Sequence, residues 1–359
     1  MKTVTSLSPT NFALFLSILL CYSCYNRDNS SIDISIPTYP KLAKQKGAHV
    51  FGALDSSNIK QFHETNIEWI TFVPFGSQPD INSPKVRYSR GDSTQTRRRN
   101  ERWLEKIKTA RTAGYKVFFK PHIWMHNPSS GKWRSDIYHD NEQDWVSWKE
   151  SYSEFILRYA EIAEKGRAEM FCIGAEFTAL TKEKPEYWQA LIKDVRAIYS
   201  GKITYAANWY KEYEQINFWG ELDYIGIQAY FPLTSKLEPS VEDLRNGWRK
   251  YIADMETVAK KYNRPILFSE LGYKSTTDSA IEPWKWVDYE KENTFIRSDQ
   301  TQINCYQAFF DTVWEKPWFA GIHIWQMRGE PHGSSWDYYL DFTPQGKPVE
   351  ELIKKEFSK

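Results

Sequence analysis

The feature of this sequence that most constrains its fold is an alternation of eight short apolar runs with longer amphipathic stretches, beginning near residue 47. The runs are continuously apolar, a pattern typical of strands that are buried on both faces. Eight such strands separated by helices predict an α/β fold of the (β/α)8 (TIM) barrel class. The runs are residues 48–52, 69–74, 116–120, 170–174, 203–207, 224–228, 265–269 and 321–324.

A doubly wound open sheet is the alternative that the same alternation permits. No glycine-rich phosphate loop of the GxGxxG or GxxxxGK[ST] type follows any of the runs, which favours the barrel. Three long loops, at residues 74–98, 123–143 and 271–302, each follow a strand, and in a barrel they would lie at the end where active sites form. The sequence therefore predicts a single catalytic domain over residues 47–359.

The first forty-six residues are predicted to lie outside the barrel. Residues 1–24 combine Lys2, an apolar stretch too short to span a bilayer, and a small residue directly before Cys24, an arrangement that resembles a bacterial lipoprotein signal. In that pattern Cys24 becomes the lipidated residue, and the polar residues 25–46 serve as a flexible tether. We therefore expect an exported protein, lipid-anchored at a bacterial membrane in the periplasm or on the cell surface. Ordinary secretion is the alternative.

The composition argues against a nucleic-acid partner and points to an aromatic binding surface. Lys and Arg number 47 and Asp and Glu number 46, so the strong basic excess expected of a nucleic-acid binder is missing. The chain also contains 16 Trp, more than one core is expected to need. Trp145 and Trp148 lie on an amphipathic stretch and are predicted to pack in the core, whereas some of the others are expected to line a binding site.

The cysteines and histidines give no sign of a metal centre. Cys172 lies within an apolar run, and with Cys305 it forms neither a CxxC pair nor a Cys/His metal spacing. His323 lies in the middle of a predicted strand, where a buried structural role is expected. No metal or cofactor is predicted.

The chemistry is expected at the carboxyl ends of the strands, where a barrel directs polar side chains into its active site. Two of these positions are carboxylic acids, Glu176 after the fourth run and Glu270 after the seventh. Paired carboxyl groups of this kind suit the hydrolysis of a glycosidic bond, in which one group donates a proton and the other attacks as an anion. The residues at the predicted strand ends are Lys120, His122, Glu176, Asn208, Tyr230, Glu270 and Trp325.

These residues carry a family resemblance. Residues 173–177 and 268–273 resemble the acid/base and nucleophile segments of the large clan of retaining (β/α)8 glycosidases. Lys120-Pro121-His122, Tyr230, Ile324-Trp325 and residues 342–348 resemble more narrowly glycoside hydrolase family 113, whose characterised members are β-1,4-mannanases. The likeness covers roughly residues 47–356.

The resemblance implies roles for three residues at the reaction centre. Glu176 would be the general acid/base, Glu270 the nucleophile, and Tyr230 a hydrogen-bond donor that keeps the nucleophile ionised. Many families of the clan place Asn directly before the acid/base, whereas this chain has Ala175. That difference fits family 113 and leaves open which residue holds the sugar 2-hydroxyl.

The resemblance also implies a sugar-binding surface. Trp325 would form the floor under the sugar at the cleavage point, and Lys120 and His122 would bind its hydroxyl groups. Asn208 is added from its place at a strand end, with a purely structural role as the alternative. Tryptophans that follow strand ends or lie in the long loops are candidates for stacking on sugar rings: Trp124, Trp209 and Trp336, with Trp133, Trp284 and Trp286 in similar positions.

Together with the paired carboxyl groups, the resemblance implies a retaining glycoside hydrolase that cleaves β-1,4-mannosidic bonds in mannan or mannooligosaccharides by double displacement, and we expect it to be a monomer. Another β-linked substrate, such as glucomannan, β-glucan or xylan, is one alternative. A surface protein that binds glycans without cleaving them is the other, although a binder has no need of both Glu176 and Glu270.

Overall fold

The computed structural model describes residues 43–54, 56–88, 93–287, 296–329 and 339–359. The expected signal over residues 1–24, including Cys24, lies outside the described residues, as do most of the expected tether and Trp336.

Eight parallel strands close into a barrel, in the order β1-β2-β4-β6-β7-β8-β9-β10, with β10 pairing back onto β1. Each of the eight apolar runs coincides with one barrel strand, so the predicted (β/α)8 fold is confirmed. The described strands are β1 (Gln45–Phe51), β2 (Trp69–Phe72), β3 (Phe75–Gln78), β4 (Lys116–Phe119), β5 (His122–Met125), β6 (Met170–Ala175), β7 (Lys202–Asn208), β8 (Tyr224–Gln228), β9 (Ile266–Leu271) and β10 (Phe319–Arg328).

Helices connect the strands, and several have sequence-encoded ends. Ser240 caps the first turn of α7 in a reciprocal pairing with Asp243, and Asn141 accepts a hydrogen bond from the first turn of α3. Gly114 follows α2 with φ +92°, which glycine adopts without strain. The described helices are α1 (Ser56–Glu64), α2 (Ser93–Thr112), α3 (Glu142–Gly166), α4 (Thr178–Glu183), α5 (Pro185–Ile198), α6 (Glu212–Gln215), α7 (Val241–Tyr262), α8 (Asp299–Phe309) and α9 (Val349–Phe357).

Two of the predicted long loops contain extra strands. β3 and β5 pair in parallel as a separate two-stranded sheet, with Phe75 opposite His122 and Gln78 opposite Met125. The third barrel strand, β4, ends at Phe119, and the chain resumes strand pairing at His122. This small sheet gives the loops after β2 and β4 a fixed backbone beside the barrel mouth.

The first strand begins earlier than the sequence suggests, because Gln45 and the following Lys46 belong to β1 and not to the tether. Gln45 looks like a linker residue, but its side chain is buried and its Oε1 lies 2.9 Å from His323 Nε2. The other ring nitrogen of His323 lies 2.6 Å from Thr71 Oγ1. A buried polar group is stable only when it is hydrogen-bonded, so this interior network places Gln45 in the barrel and accounts for the buried His323.

The core has two layers, and the alternation of side chains along β6 separates them. Met170 and Cys172 belong to a cluster contributed by several barrel strands, whereas Phe171 and Ile173 belong to the cluster that includes buried helix residues. Trp145 and Trp148 of α3 are buried in that second cluster, as expected. Among the described residues, no helix is long and apolar enough to cross a membrane.

Candidate active site

A cleft with a volume of about 960 Å³ opens at the carboxyl ends of the barrel strands. Both predicted acids, Glu176 and Glu270, line it, and so do six of the tryptophans. Its lining consists of Phe51, Phe75, His122, Trp124, Trp133, Arg134, Glu176, Asn208, Trp209, Tyr210, Gln228, Tyr230, Glu270, Trp284, Lys285, Trp286, Trp325, Gln326 and Phe342.

Glu270 lies in β9 with its carboxylate held between two donors. The Lys120 ammonium donates to Oε1 at 2.6 Å, and the Tyr230 hydroxyl donates to Oε2 at 2.7 Å. Glu270 is only 4% exposed, so both contacts act with little screening by water. Each carboxylate oxygen therefore has a fixed partner, and the orientation of the group is set from two sides.

Lys120 differs from its expected role as a ligand for sugar hydroxyls. Its side chain is fully buried and does not line the cleft. Besides Glu270, its ammonium donates to Gln228 Oε1 at 3.0 Å and to the Ser269 carbonyl at 3.2 Å. A buried ammonium needs acceptors on all sides, and the barrel interior supplies them, so Lys120 acts on the carboxylate from behind the cleft wall.

Burial and charge act in opposite directions on Glu270. Burial raises the pKa of its carboxyl group, the Lys120 ammonium opposes that rise, and the negative charge of Glu176 adds to it, so the pKa stays above the ordinary range. Burial lowers the pKa of Lys120, and the attraction of Glu270 limits this effect. Burial and the neighbouring Lys120 hold the pKa of His122 and of His49 well below 6.5, so both imidazoles are neutral near pH 7.

His122 occupies the position expected of a ligand for a sugar hydroxyl. It lines the cleft, and its Nε2 lies 3.8 Å from Glu270 Oε1. That nitrogen is buried without a hydrogen-bond partner among the described residues. A neutral imidazole that faces the cleft with an unused nitrogen can bond to a hydroxyl group placed beside Glu270.

Glu176 directly follows β6 in a strained backbone conformation. Its φ of +58° lies in the left-handed region, which costs a non-glycine residue about 1–3 kcal/mol. Hydrogen bonds on both sides hold this turn: the Glu176 amide donates to the Ala206 carbonyl at 2.9 Å, and the Phe177 amide donates to the Tyr205 hydroxyl at 2.6 Å. The turn directs the Glu176 carboxylate into the cleft.

The Glu176 carboxylate has partners from a loop. Arg134, which begins a short 3-10 turn (Arg134–Asp136), donates from Nη2 to Glu176 Oε2 at 2.6 Å. The Trp133 indole N–H donates to the same oxygen at 3.2 Å. Burial alone would raise the pKa of Glu176, but the Arg134 guanidinium, together with hydrogen bonds from Gln228 and Trp133, holds it below the ordinary value.

A third buried acid, Glu212, supports the turn at Glu176. It accepts hydrogen bonds from the Tyr205 hydroxyl at 2.7 Å, the Thr181 hydroxyl at 3.1 Å and the Asn208 amide at 2.7 Å. Burial raises the pKa of Glu212 to about 7, against these hydrogen bonds. Glu212 does not line the cleft, and its contacts connect α4 to β7 behind the turn at Glu176.

Aromatic side chains line much of the cleft. Trp325 lines the cleft and lies edge-on to Phe51 at a centroid distance of 5.2 Å, and its place under the sugar stays a prediction. Trp124 and Trp133 meet edge to face at 6.4 Å, and Trp124 is 51% exposed. The apolar faces of such rings suit stacking on sugar rings.

Trp209, Trp284, Trp286 and Asn208, which the sequence also predicted, line the cleft as well. Trp209 stacks on Trp284 at a centroid distance of 5.1 Å. Asn208 lines the cleft, but its Oδ1 accepts the Tyr210 amide at 2.9 Å, so at least part of its side chain stabilises the local turn. Trp286 lies edge-on to Trp325 at 6.3 Å.

Sequence reasoning missed two residues of the charge network, Arg134 and Gln228. Gln228 is the last residue of β8, so the search for polar residues at strand ends could have identified it. Arg134 lies in a loop eleven residues beyond Ile123, whose carbonyl it also contacts, and only the folded loop brings it to Glu176. No group of His, Cys, Asp and Glu within the described ranges is arranged to hold a metal ion.

Comparisons with known proteins identify the family and agree with the barrel fold. The sequence profile of Glycoside Hydrolase Family 113 matches residues 43–335. A structure of a complex of a family 113 β-1,4-mannanase is 25% identical with a TM-score of 0.73, and covers 89% of this chain and 100% of its own. A second family 113 β-1,4-mannanase structure is 26% identical with a TM-score of 0.72, and covers 88% and 100%.

A third similar structure is the family 113 β-mannanase from Alicyclobacillus acidocaldarius. It is 24% identical with a TM-score of 0.74, and covers 88% of this chain and 98% of its own, which supports the shared fold. No curated protein sequence matches this chain.

Proposed function

This chain belongs to glycoside hydrolase family 113, and from that premise we propose that it hydrolyses β-1,4-mannosidic bonds in mannan or mannooligosaccharides with retention of configuration. The observation that carries the proposal is the pair of buried carboxylates, Glu176 and Glu270, which face one aromatic cleft and have separate cationic partners. A protein that only binds glycans has no use for two such desolvated acids.

In the first half of the reaction, Glu270 attacks the anomeric carbon and the bond to the leaving oxygen breaks. Glu176 donates its proton to that oxygen, and a covalent glycosyl-enzyme forms on Glu270. Lys120 and Tyr230 are suited to keeping Glu270 ionised and oriented for the attack, because both donate to its oxygens.

In the second half, water attacks the anomeric carbon from the side that the leaving group occupied. Glu176, now a carboxylate, accepts the proton of that water, and Glu270 leaves as a carboxylate. The two inversions restore the original configuration. The two carboxylates form ion pairs with Lys120 and Arg134, and Lys285, the other charged residue of the lining, is paired with Glu282, an arrangement that suits an uncharged sugar chain.

The substrate is tested by reducing-sugar release from a panel of β-1,4-mannan, glucomannan, xylan and β-glucan. Faster release from β-mannan than from xylan and β-glucan, with the β-anomer as the first product in proton NMR, is expected. Release from xylan or β-glucan alone would contradict the assignment of mannan as the substrate. An α-anomer as first product would contradict retention. No release from any polymer would favour a protein that only binds glycans.

We also propose that the protein is exported and anchored to a bacterial membrane by a lipid on Cys24. The support is the sequence alone: an apolar stretch that ends in Ser23-Cys24, followed by a polar tether. In a bacterial host, the full chain should then partition into the membrane fraction and incorporate labelled palmitate, and Cys24→Ser should abolish both. Secretion of the unmodified protein into the medium would contradict the anchor.

Finally, we propose that the enzyme acts as a monomer. The support is that one chain supplies both carboxylates, their cationic partners and the aromatic lining. Size-exclusion chromatography with light scattering on residues 43–359 is expected to give the mass of one chain, and a concentration-independent dimer would contradict the proposal.

A further inference from the structure

The ion pair between Glu176 and Arg134 is unfavourable for the first half of the double displacement. The first half of the reaction needs a proton on Glu176, yet a guanidinium 2.6 Å from Oε2 stabilises the ionised form. Arg134 is itself only 6% exposed, so this is a buried ion pair and not a screened surface contact. The site therefore maintains an interaction that works against one half of its own cycle.

The second half reverses the requirement. Once Glu270 is esterified to the sugar, its negative charge, which opposes ionisation of Glu176 in the free enzyme, is gone. Glu176 must then be a carboxylate to take a proton from water, and the Arg134 contact favours that state.

We propose that Arg134 is a positioning residue for deglycosylation, which holds Glu176 ionised and oriented so that it can activate the incoming water. The inference rests on the retaining reaction proposed above. It assigns to Arg134 a role in the second half of the cycle, whereas Lys120 and Tyr230 hold the nucleophile for the first half.

The loop is built to hold the guanidinium in one place. Arg134 Nη1 donates to the Ile123 carbonyl at 3.2 Å, which ties it to β5. The guanidinium carbon lies 4.8 Å from the centre of the Trp133 ring, a cation–π contact. The Trp133 amide in turn donates to Asp136 Oδ2 at 3.0 Å, which fixes the turn. Trp133 thus contacts both members of the ion pair.

Arg134 forms an ion pair with Glu176 at 2.6 Å, and the other charged or titratable neighbours among the described residues do not replace it. Lys120 is committed to Glu270 at 2.6 Å. Glu212 is an acid and therefore opposes ionisation of Glu176. The titratable groups that interact electrostatically with Glu176 from the surrounding elements are Glu270, Lys120, Tyr230 and Glu212, and those that interact with Arg134 are neutral His122 and Tyr152.

The test isolates deglycosylation. The enzyme is loaded with a 2-deoxy-2-fluoro-β-mannosyl fluoride, which forms a slowly hydrolysed adduct on the nucleophile. The loss of the adduct is followed by intact mass spectrometry from about pH 2.5 to pH 8, because the Arg134 guanidinium holds the pKa of Glu176 below its ordinary value. Because Glu270 is esterified, Glu176 is the member of the carboxyl pair that titrates. The decay rate should rise with pH as Glu176 ionises. Arg134→Met should move the midpoint of that rise upward by about 1–3 pH units.

Arg134→Lys retains a positive charge and should keep the midpoint closer to that of the wild type than Arg134→Met does. Arg196→Met is the matched control, since it removes an Arg–carboxylate contact of the same 2.6 Å length, to Asp223, away from the cleft. It should leave the midpoint unchanged. If Arg134→Met does not fold, Trp133→Phe, which removes a weaker donor to Glu176 at 3.2 Å, should give a smaller upward movement.

The outcomes separate the two proposals. A wild-type enzyme that forms no adduct on Glu270 contradicts the retaining function itself. An adduct that decays in wild type and in Arg134→Met with the same midpoint contradicts only the role of Arg134. A lower rate in Arg134→Met without movement of the midpoint, and without recovery in Arg134→Lys, would show that Arg134 has only a structural role.

Discussion

The surroundings of Glu176 and Glu270 differ in where their cations come from. Both acids are buried at the mouth of the barrel, and each accepts a hydrogen bond of 2.6 Å from a positive side chain. Lys120 reaches Glu270 from inside the barrel and is closed off from the cleft, whereas Arg134 reaches Glu176 from a loop and lines the cleft. The proposed nucleophile is thus held from the interior of the barrel, and the proposed acid/base from a loop that lines the cleft.

This difference matches what the two groups must do. A nucleophile must be a carboxylate in the free enzyme, and a cation held inside the barrel favours that ionised state. An acid/base must gain and lose a proton in each cycle. Its cationic partner lines the cleft, where binding and release of the sugar change the surroundings of the ion pair. The following substitutions test the contrast in decreasing order of expected effect.

Glu270→Ala should have the largest effect. Removal of the nucleophile abolishes the covalent route, so kcat for β-mannan should fall beyond the roughly 10⁴-fold upper end of what general acid–base help provides. The measurement is steady-state turnover of mannooligosaccharides, with circular dichroism as the check on folding. Turnover close to that of the wild type would show that Glu270 does not attack the sugar.

Glu176→Gln should have the next largest effect, and one that depends on the leaving group. An amide cannot donate the proton that a sugar leaving group needs, so kcat/KM for mannooligosaccharides should fall by about 10²–10⁴-fold. A 2,4-dinitrophenyl mannoside, whose leaving group needs no proton, should keep most of its kcat/KM. Equal losses for both substrates would contradict a proton-donor role.

Tyr230→Phe removes one donor from Glu270 and leaves its ring in place. A hydrogen bond to a charged group contributes about 1.5–3 kcal/mol, so kcat/KM should fall by about 10–150-fold. The acidic limb of the pH profile should also move to higher pH. In the wild type the Tyr230 hydrogen bond lowers the pKa of Glu270, so its removal raises that pKa. A uniform loss at every pH would show that Tyr230 only packs.

Glu212 tests the support behind Glu176 through stability. Its pKa of about 7 in the folded state exceeds the ordinary 4.5, so the unfolded chain loses this proton first as the pH rises. The free energy of unfolding should therefore fall by about 3 kcal/mol between pH 4.5 and 7 from this group alone. Chemical denaturation of wild type and Glu212→Gln across that range measures the difference.

The Glu212→Gln variant should show a flatter dependence on pH than the wild type. It should also be less stable at low pH by about 1–3 kcal/mol, since all three partners of Glu212 are donors and an amide N–H₂ would face one of them. Parallel curves for the two proteins would show that Glu212 does not titrate in this range.

The sequence was informative where local pattern determines structure. Continuously apolar runs predicted all eight barrel strands, and polar residues at their ends located Glu176, Glu270, Tyr230 and Trp325 in one cleft. These inferences succeed because burial on both faces and the exit from a strand are properties of a few consecutive residues.

Contacts between segments that are distant in the sequence could not be predicted from such local patterns. Lys120 was expected to bind hydroxyl groups, but its side chain turns into the barrel, where Gln228 and Ser269 complete its acceptors. Arg134 was not singled out, because its pairing with Glu176 depends on how β5 and the following turn fold over the cleft. Such pairings are set by tertiary packing, and no spacing of neighbouring residues in the sequence indicates them.

The most direct test of the contrast between the two acids is the configuration of the azide product. Glu176→Ala and Glu270→Ala are each incubated with a dinitrophenyl β-mannoside and sodium azide, and the mannosyl azides are identified by NMR. Azide that replaces the acid/base attacks the glycosyl-enzyme and should give the β-azide, whereas azide that replaces the nucleophile attacks the substrate and should give the α-azide. The same anomer from both variants, or the reverse assignment, would contradict the account.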